Sequence, residues 1–200
     1  NQVGVELALD SEEEKINVLI FCAKHTQTSQ RFMPKLLNDW INKVIGKTPD
    51  EREEYMKYSE ISPLFIVGTF FNVNLAFDPL QDKKGDDSTL NYRWQQRFDR
   101  TLAEEYLEVK THDWFENWTK SKPNFQNIYL LRDFEKSETP SNLFTGYNEF
   151  KEERTEVKPA SYMDFREKLR ESFLKYDFVR KHFENPDVSW DESATINKDG

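Results

Sequence analysis

The chain has 200 residues and 24.0 kDa, with 28 basic against 37 acidic side chains, a net charge of -9 and a mean hydropathy of -0.87. That acidity excludes a nucleic-acid backbone as the expected partner, and the lack of any long apolar run excludes a membrane span. The 16 Phe, 8 Tyr and 5 Trp supply the bulky burial that a disordered chain lacks, so one α/β domain over residues 1–200 is expected.

Residues 1–15 read as an acidic lead-in, with Asp10-Ser11-Glu12-Glu13-Glu14 ahead of the first apolar run, as if cut from something longer. That run is Ile16–Ala23. It is continuous, bounded by polar residues and too short for a helix, as expected of a strand covered on both faces. Cys22 lies inside it, so it is expected as a small core hydrophobe without a disulfide partner, which suits a reducing, cytoplasmic location.

A polar loop, Lys24-His25-Thr26-Gln27-Thr28-Ser29, leads to a helix with an apolar stripe of Phe32, Leu36, Leu37, Trp40, Ile41 and Val44, with Pro34 confined to its first turn. Gly46-Lys47-Thr48 has the look of a phosphate-loop ending, but Ile41 stands where the earlier glycine belongs, and a phosphate loop follows a strand rather than a helix. A helix stop at Gly46 followed by a capping box, Thr48-Pro49-Asp50-Glu51, accounts for these residues.

The second strand is expected within Ser62–Asn72, where Leu64-Phe65-Ile66-Val67-Gly68 ends in Thr69-Phe70-Phe71-Asn72. An exposed loop should follow over Phe77–Thr89. A helix comes next, with Trp94, Phe98, Leu102 and Tyr106 at four-residue spacing and Arg93, Arg97 and Arg100 off that stripe. The third strand is Asn127–Leu131, followed by Arg132-Asp133. The last helix is expected to run unbroken through Tyr162, Phe165, Leu169, Phe173, Tyr176, Val179 and Phe183, stopping before Pro186 and leaving 186–200 as a solvated tail. Strands joined by long helical connections must be parallel, so the expected fold is a three-layer α/β/α sandwich with a mainly parallel sheet. Its function should sit at the carboxyl ends of the strands.

Two strand ends there are candidates. Thr69-Phe70-Phe71-Asn72 occupies the place of the Thr-Lys-x-Asp guanine-reading motif of P-loop GTPases, with Phe70 for the lysine and Asn72 for the aspartate. An amide offers one acceptor where a carboxylate takes two guanine N–H groups, while Phe70 can stack on a base. One strand later, Arg132 can stack on a purine and Asp133 can accept a bidentate pair, an arrangement resembling that of guanylate-binding-protein GTPases. A tetrapeptide this short favours the simpler reading of Arg132 and Asp133 as exposed polar residues, or an ion pair, at a strand end. His25, His112 and His182 lie far apart, no nucleophile elbow occurs, and neither a metal nor a catalytic residue is assigned.

The order of Leu64–Asn72, Arg93-Trp94-Gln95-Gln96-Arg97-Phe98, Trp114 with Trp118, Phe125–Arg132, Val179–Pro186, Ser189-Trp190-Asp191 and Asn197–Gly200 resembles the SrfC-like putative bacterial virulence-factor family, whose N-terminal region looks like a dynamin-like P-loop GTPase. The resemblance implies the second half of a P-loop NTPase-like domain, lacking the half that carries the phosphate loop. It implies GTP or another purine nucleotide with Mg as ligand, with the phosphate and Mg ligands encoded upstream, so that this chain alone is not hydrolytic. The alternative is a non-catalytic interaction or scaffold domain that binds a protein partner through its aromatic helix surfaces.

Overall fold

The computed structural model describes residues 18–25, 32–78, 82, 87–132, 144–148, 150, 153–157 and 163–194. Its centre is a parallel sheet in the order β1 (Leu19–Ala23), β2 (Leu64–Gly68), β3 (Ile128–Leu130), with Phe21 paired to Ile66 and Ile66 to Ile128. An antiparallel pair, β4 (Phe144–Asn148) and β5 (Glu153–Val157), forms a separate sheet.

β1 and β2 are joined through α1 (Met33–Trp40), a wide turn over Ile41–Ile45 and α2 (Pro49–Tyr58). Pro34 lies in the first turn of α1, and Leu37, Trp40 and Ile41 are buried as the stripe requires. Gly46 adopts φ +153°, and a Cβ there would come within 2.6 Å of the Glu51 Cβ. Thr48 Oγ1 accepts from the Glu51 amide at 3.3 Å, while the Lys47 amide donates to Glu51 Oε2 at 2.6 Å. Helix capping therefore accounts for this glycine-lysine-threonine sequence, as the spacing predicts.

From β2 to β3 the chain passes through α3 (Asn72–Leu75), α4 (Asp87–Trp94), a π-wound continuation over Gln95–Tyr106 and a short turn at Asp113–Phe115. A sheet whose strands follow chain order, joined by right-handed crossovers, carries both connections on the same face. Phe21, Ala23, Leu64, Ile66 and Ile128 on that face are buried with Trp40, Trp94 and Phe98. The opposite face tells a different story: Ile20 is 62% exposed, Tyr129 47%, and Cys22 is exposed as well. Among the described residues, nothing covers Ile20, Cys22 and Tyr129 where the expected third layer would lie. Cys22 is corrected from core hydrophobe to surface thiol, because alternation along β1 turns it to the open face.

The C-terminal helix is not continuous. It breaks at Tyr176 into α5 (Met163–Lys175) and α6 (Asp177–His182), where Tyr176 Oη donates to Asp99 Oδ2 at 2.6 Å and its backbone turns extended. Nor is the stretch after Pro186 a solvated tail: α7 (Pro186–Ala194) buries Trp190 completely, against Phe71, Trp94 and Phe173. The loop expected to be exposed after Phe77 is anchored at Asp82, whose buried carboxylate takes both oxygens to Arg93 Nη2, at 2.9 and 3.1 Å. The aromatic core continues from Phe98 to Phe178, Phe115 and His182, and through Phe125 to Trp114 and Trp118.

Candidate ligand site at the strand ends

β2 ends at Gly68, and the next residues bind back to both neighbouring strands. The Thr69 amide donates to Ala23 O at 2.8 Å, and Thr69 Oγ1 reaches the same carbonyl at 3.3 Å. On the other side Leu131 N donates to Gly68 O and Phe71 N to Leu131 O, each at 3.0 Å. The loops carrying the candidates Thr69, Phe70 and Asn72 and the candidate Arg132 are thereby tied together. All four residues are half-buried, with Asn72 opening α3. Asp133 lies outside the described residues.

Phe70 is held at φ +58°, a left-handed conformation that a bulky side chain seldom adopts and that costs about 1 kcal/mol or more. Its ring packs on His25, the second residue after β1, with centroids 5.8 Å apart and planes at 60°. Phe71, the next residue, is fully buried in the aromatic core and points the other way. The strain at Phe70 lets adjacent aromatics serve opposite purposes, one packing the core and one lining the strand ends.

Two residues that the sequence reading left aside complete the cluster. Arg97 is only 4% exposed; its Nη2 donates to Thr69 O at 2.9 Å and its Nη1 is buried without a partner. Burial pushes the guanidinium down to about 10, against a smaller opposing effect from Tyr106. His25 Nδ1 is also buried and unpartnered, and the imidazole is held below its ordinary pKa by burial, then by the charges of Arg97 and Lys24. The backbone of Lys24 is fixed by a hydrogen bond from its amide to Tyr106 Oη at 3.2 Å.

Ordinary α-helical spacing places Arg97 off the apolar stripe. The π winding from Gln95, seen in the i to i+5 bond from Leu107 N to Leu102 O at 3.0 Å, changes the rotation per residue and swings Arg97 inward. The one sequence signal for it was Gly68: a Cβ at that position would lie 2.8 Å from Arg97 Nη2.

The donors gathered here are guanidinium, imidazole, amide and aromatic ring. They suit an anion or a flat heterocycle and do not suit Mg, which requires oxygen ligands. Among the described residues no group of His, Cys, Asp and Glu side chains is placed to hold a metal ion, and no helix is long and apolar enough to cross a membrane. A cleft of about 650 Å³ opens elsewhere, between α4 and α5, lined by Asn91, Gln95, Asp99, Lys168 and Tyr176. Its charges are mixed and it lies away from the strand ends, where parallel sheets collect their ligands, so the strand-end cluster is the better site.

A family model described as "Putative bacterial virulence factor" matches residues 10–200. The chain belongs to that family. No curated protein and no solved structure matches the chain. The family assignment carries no reaction and no ligand with it, and the P-loop GTPase part of the resemblance rests on the sequence motifs alone.

Proposed function

We propose that this virulence-factor domain recognises a purine nucleotide at the carboxyl ends of β2 and β3. The observation that carries the reading is the joining of the two candidate loops through Gly68, Phe71 and Leu131, which sets Phe70 and Arg132 on neighbouring strand ends. An aromatic ring and a guanidinium plane so disposed offer two stacking surfaces for a base, and Asn72 supplies an amide for its edge. The chain is acidic overall, yet Lys24 and Arg97 both lie close enough to His25 to act on its charge, giving an anionic ligand a locally favourable field. In this reading the domain binds the nucleotide and is not hydrolytic by itself.

Titration of fluorescent GTP and ATP analogues into the protein tests this. Saturable binding should weaken about tenfold in Phe70→Ala and in Arg132→Ala, since base stacking contributes about 1–3 kcal/mol. Equal affinity in both variants and the parent rejects the reading.

The open sheet face favours a second reading, that of a protein-interaction domain. Val18 and Ile20 at β1 and Tyr129 and Leu131 at β3 are exposed on either side of β2, and apolar surface of this kind marks interaction sites. If this reading holds and the first does not, Ile20→Asp abolishes partner binding while the nucleotide titrations show no saturation.

A further inference from the structure

Among the described residues Arg52 and Arg97 are buried and Arg93 is largely so, and two of these three are satisfied. Arg52 donates from Nε to Trp118 O at 2.7 Å, from Nη1 to Gly46 O at 3.1 Å and from Nη2 to Asn117 O at 2.6 Å. Arg93 holds the Asp82 carboxylate and the carbonyls of Asn74 and Ala76. Arg97 alone of the three has an end of its fork, Nη1, with nothing to bind.

Removing a cation from water without a countercharge is strongly unfavourable, so a buried guanidinium end with nothing to bind calls for a ligand. The position of this one is specific. It lies beneath Thr69, where β1 and β2 end, beside an imidazole whose Nδ1 is likewise buried and unpartnered. Gly68 is free of a Cβ where one would press on Arg97 Nη2, so the backbone itself makes room for the guanidinium.

We propose that Arg97 and His25 form an oxyanion site between the ends of β1 and β2, taking a phosphate or carboxylate group. The unsatisfied Nη1–H donates to one oxygen of the ligand and the neutral imidazole donates to another. The site is bordered by the Lys24-His25 and Thr69-Phe70 loops, where the Phe70 ring packs on His25. The site does not depend on base recognition: it needs no ring on the ligand, and it lies on the β1 side of Thr69, away from Arg132.

The test is a titration of inorganic phosphate, and separately of acetate, into the protein labelled with 15N at arginine, at constant ionic strength with chloride as the control. A saturable shift of the Arg97 side-chain resonance is expected with at least one of the two oxyanions and not with chloride; the tighter one assigns the ligand class. The resonance is assigned by its loss in Arg97→Gln. His25→Ala, at a half-buried loop position, should weaken binding about tenfold. An Arg97 resonance that moves with neither oxyanion, or only as it does with chloride, overturns the site, as does undiminished affinity in His25→Ala. Because neither probe carries a base, a positive result here with no nucleotide selectivity leaves the oxyanion site standing and rejects the purine reading.

Discussion

Gly68 and Arg97 are in a relationship of mutual exclusion: the guanidinium Nη2 occupies the space into which any side chain at residue 68 would grow, 2.8 Å from an added Cβ. Because Nη2 is also bonded to Thr69 O at 2.9 Å, it cannot move aside without giving up that bond. Gly68→Ala is therefore expected to destabilise the protein by about 1–3 kcal/mol through overpacking, measured by urea denaturation. It should also perturb the strand-end resonances more than those of α7. A neutral effect would show that Arg97 is not held where the structure places it.

The Arg93 and Asp82 pair is expected to be the costliest ion pair to break. The Asp82 carboxylate is wholly buried and Arg93 is largely so, and Arg93 in addition holds two carbonyls at the end of α3. Arg93→Ala leaves a buried carboxylate without a cation, a loss of about 3–5 kcal/mol. The exposed pair of Lys110 with Glu104 supplies the contrast, and Lys110→Ala should change stability by less than about 1 kcal/mol. Equal effects from the two variants would contradict the burial assigned to Asp82.

His182 makes stability depend on pH. Its ring stacks on Phe115 at 4.2 Å, and Nδ1 faces Phe125 O at 3.1 Å, so Nδ1 carries the proton of a neutral imidazole. Burial lowers the pKa from 6.5 to about 4. The unfolded chain takes up the proton first as pH falls, so the contribution is complete above 6.5, declines between 6.5 and 4, and is gone below that. The drop across this window should be roughly 3 kcal/mol, following from about 1.4 kcal/mol for each pKa unit. His182→Gln should flatten that limb of the stability profile; an unchanged slope would assign the acid sensitivity to other groups.

Residues 186–194 offer a sharper test of what the sequence reading missed. Trp190 is fully buried among Phe71, Trp94 and Phe173, so a chain ending at Asn185 loses a central aromatic of the core. Such a truncation should cost at least about 3–5 kcal/mol, the loss seen when a buried Trp is emptied from a core, and should show as a lowered thermal midpoint. A midpoint equal to that of the full chain would restore the reading of a solvated tail. The signal was present in the sequence: Asn185 Oδ1 accepts from the Val188 amide at 3.3 Å, and Pro186 takes the first helical position, a helix start that the breaker role of Pro186 concealed.

The strands were legible because Ile16–Ala23, Ser62–Asn72 and Asn127–Leu131 are apolar runs separated by helical periodicity, and their parallel pairing follows from the length of the connections. The number of layers was not legible. Ile20, Cys22 and Tyr129 have the composition of buried strand residues yet face outward, and a strand cannot report whether the element that would cover it belongs to the same stretch of chain. The site was half visible. Thr69, Phe70 and Arg132 declare themselves by following apolar runs, whereas Arg97 depends on a change of helical winding that residue spacing alone does not disclose.

The most direct measurement is amide and side-chain chemical-shift mapping of the 15N-labelled protein during titration with a purine nucleotide. The account predicts saturable shifts confined to Thr69, Phe70, Asn72, Arg132 and the Arg97 side chain. Shifts absent from these residues, or gathered instead around Ile20 and Tyr129 on the open face of the sheet, would contradict it.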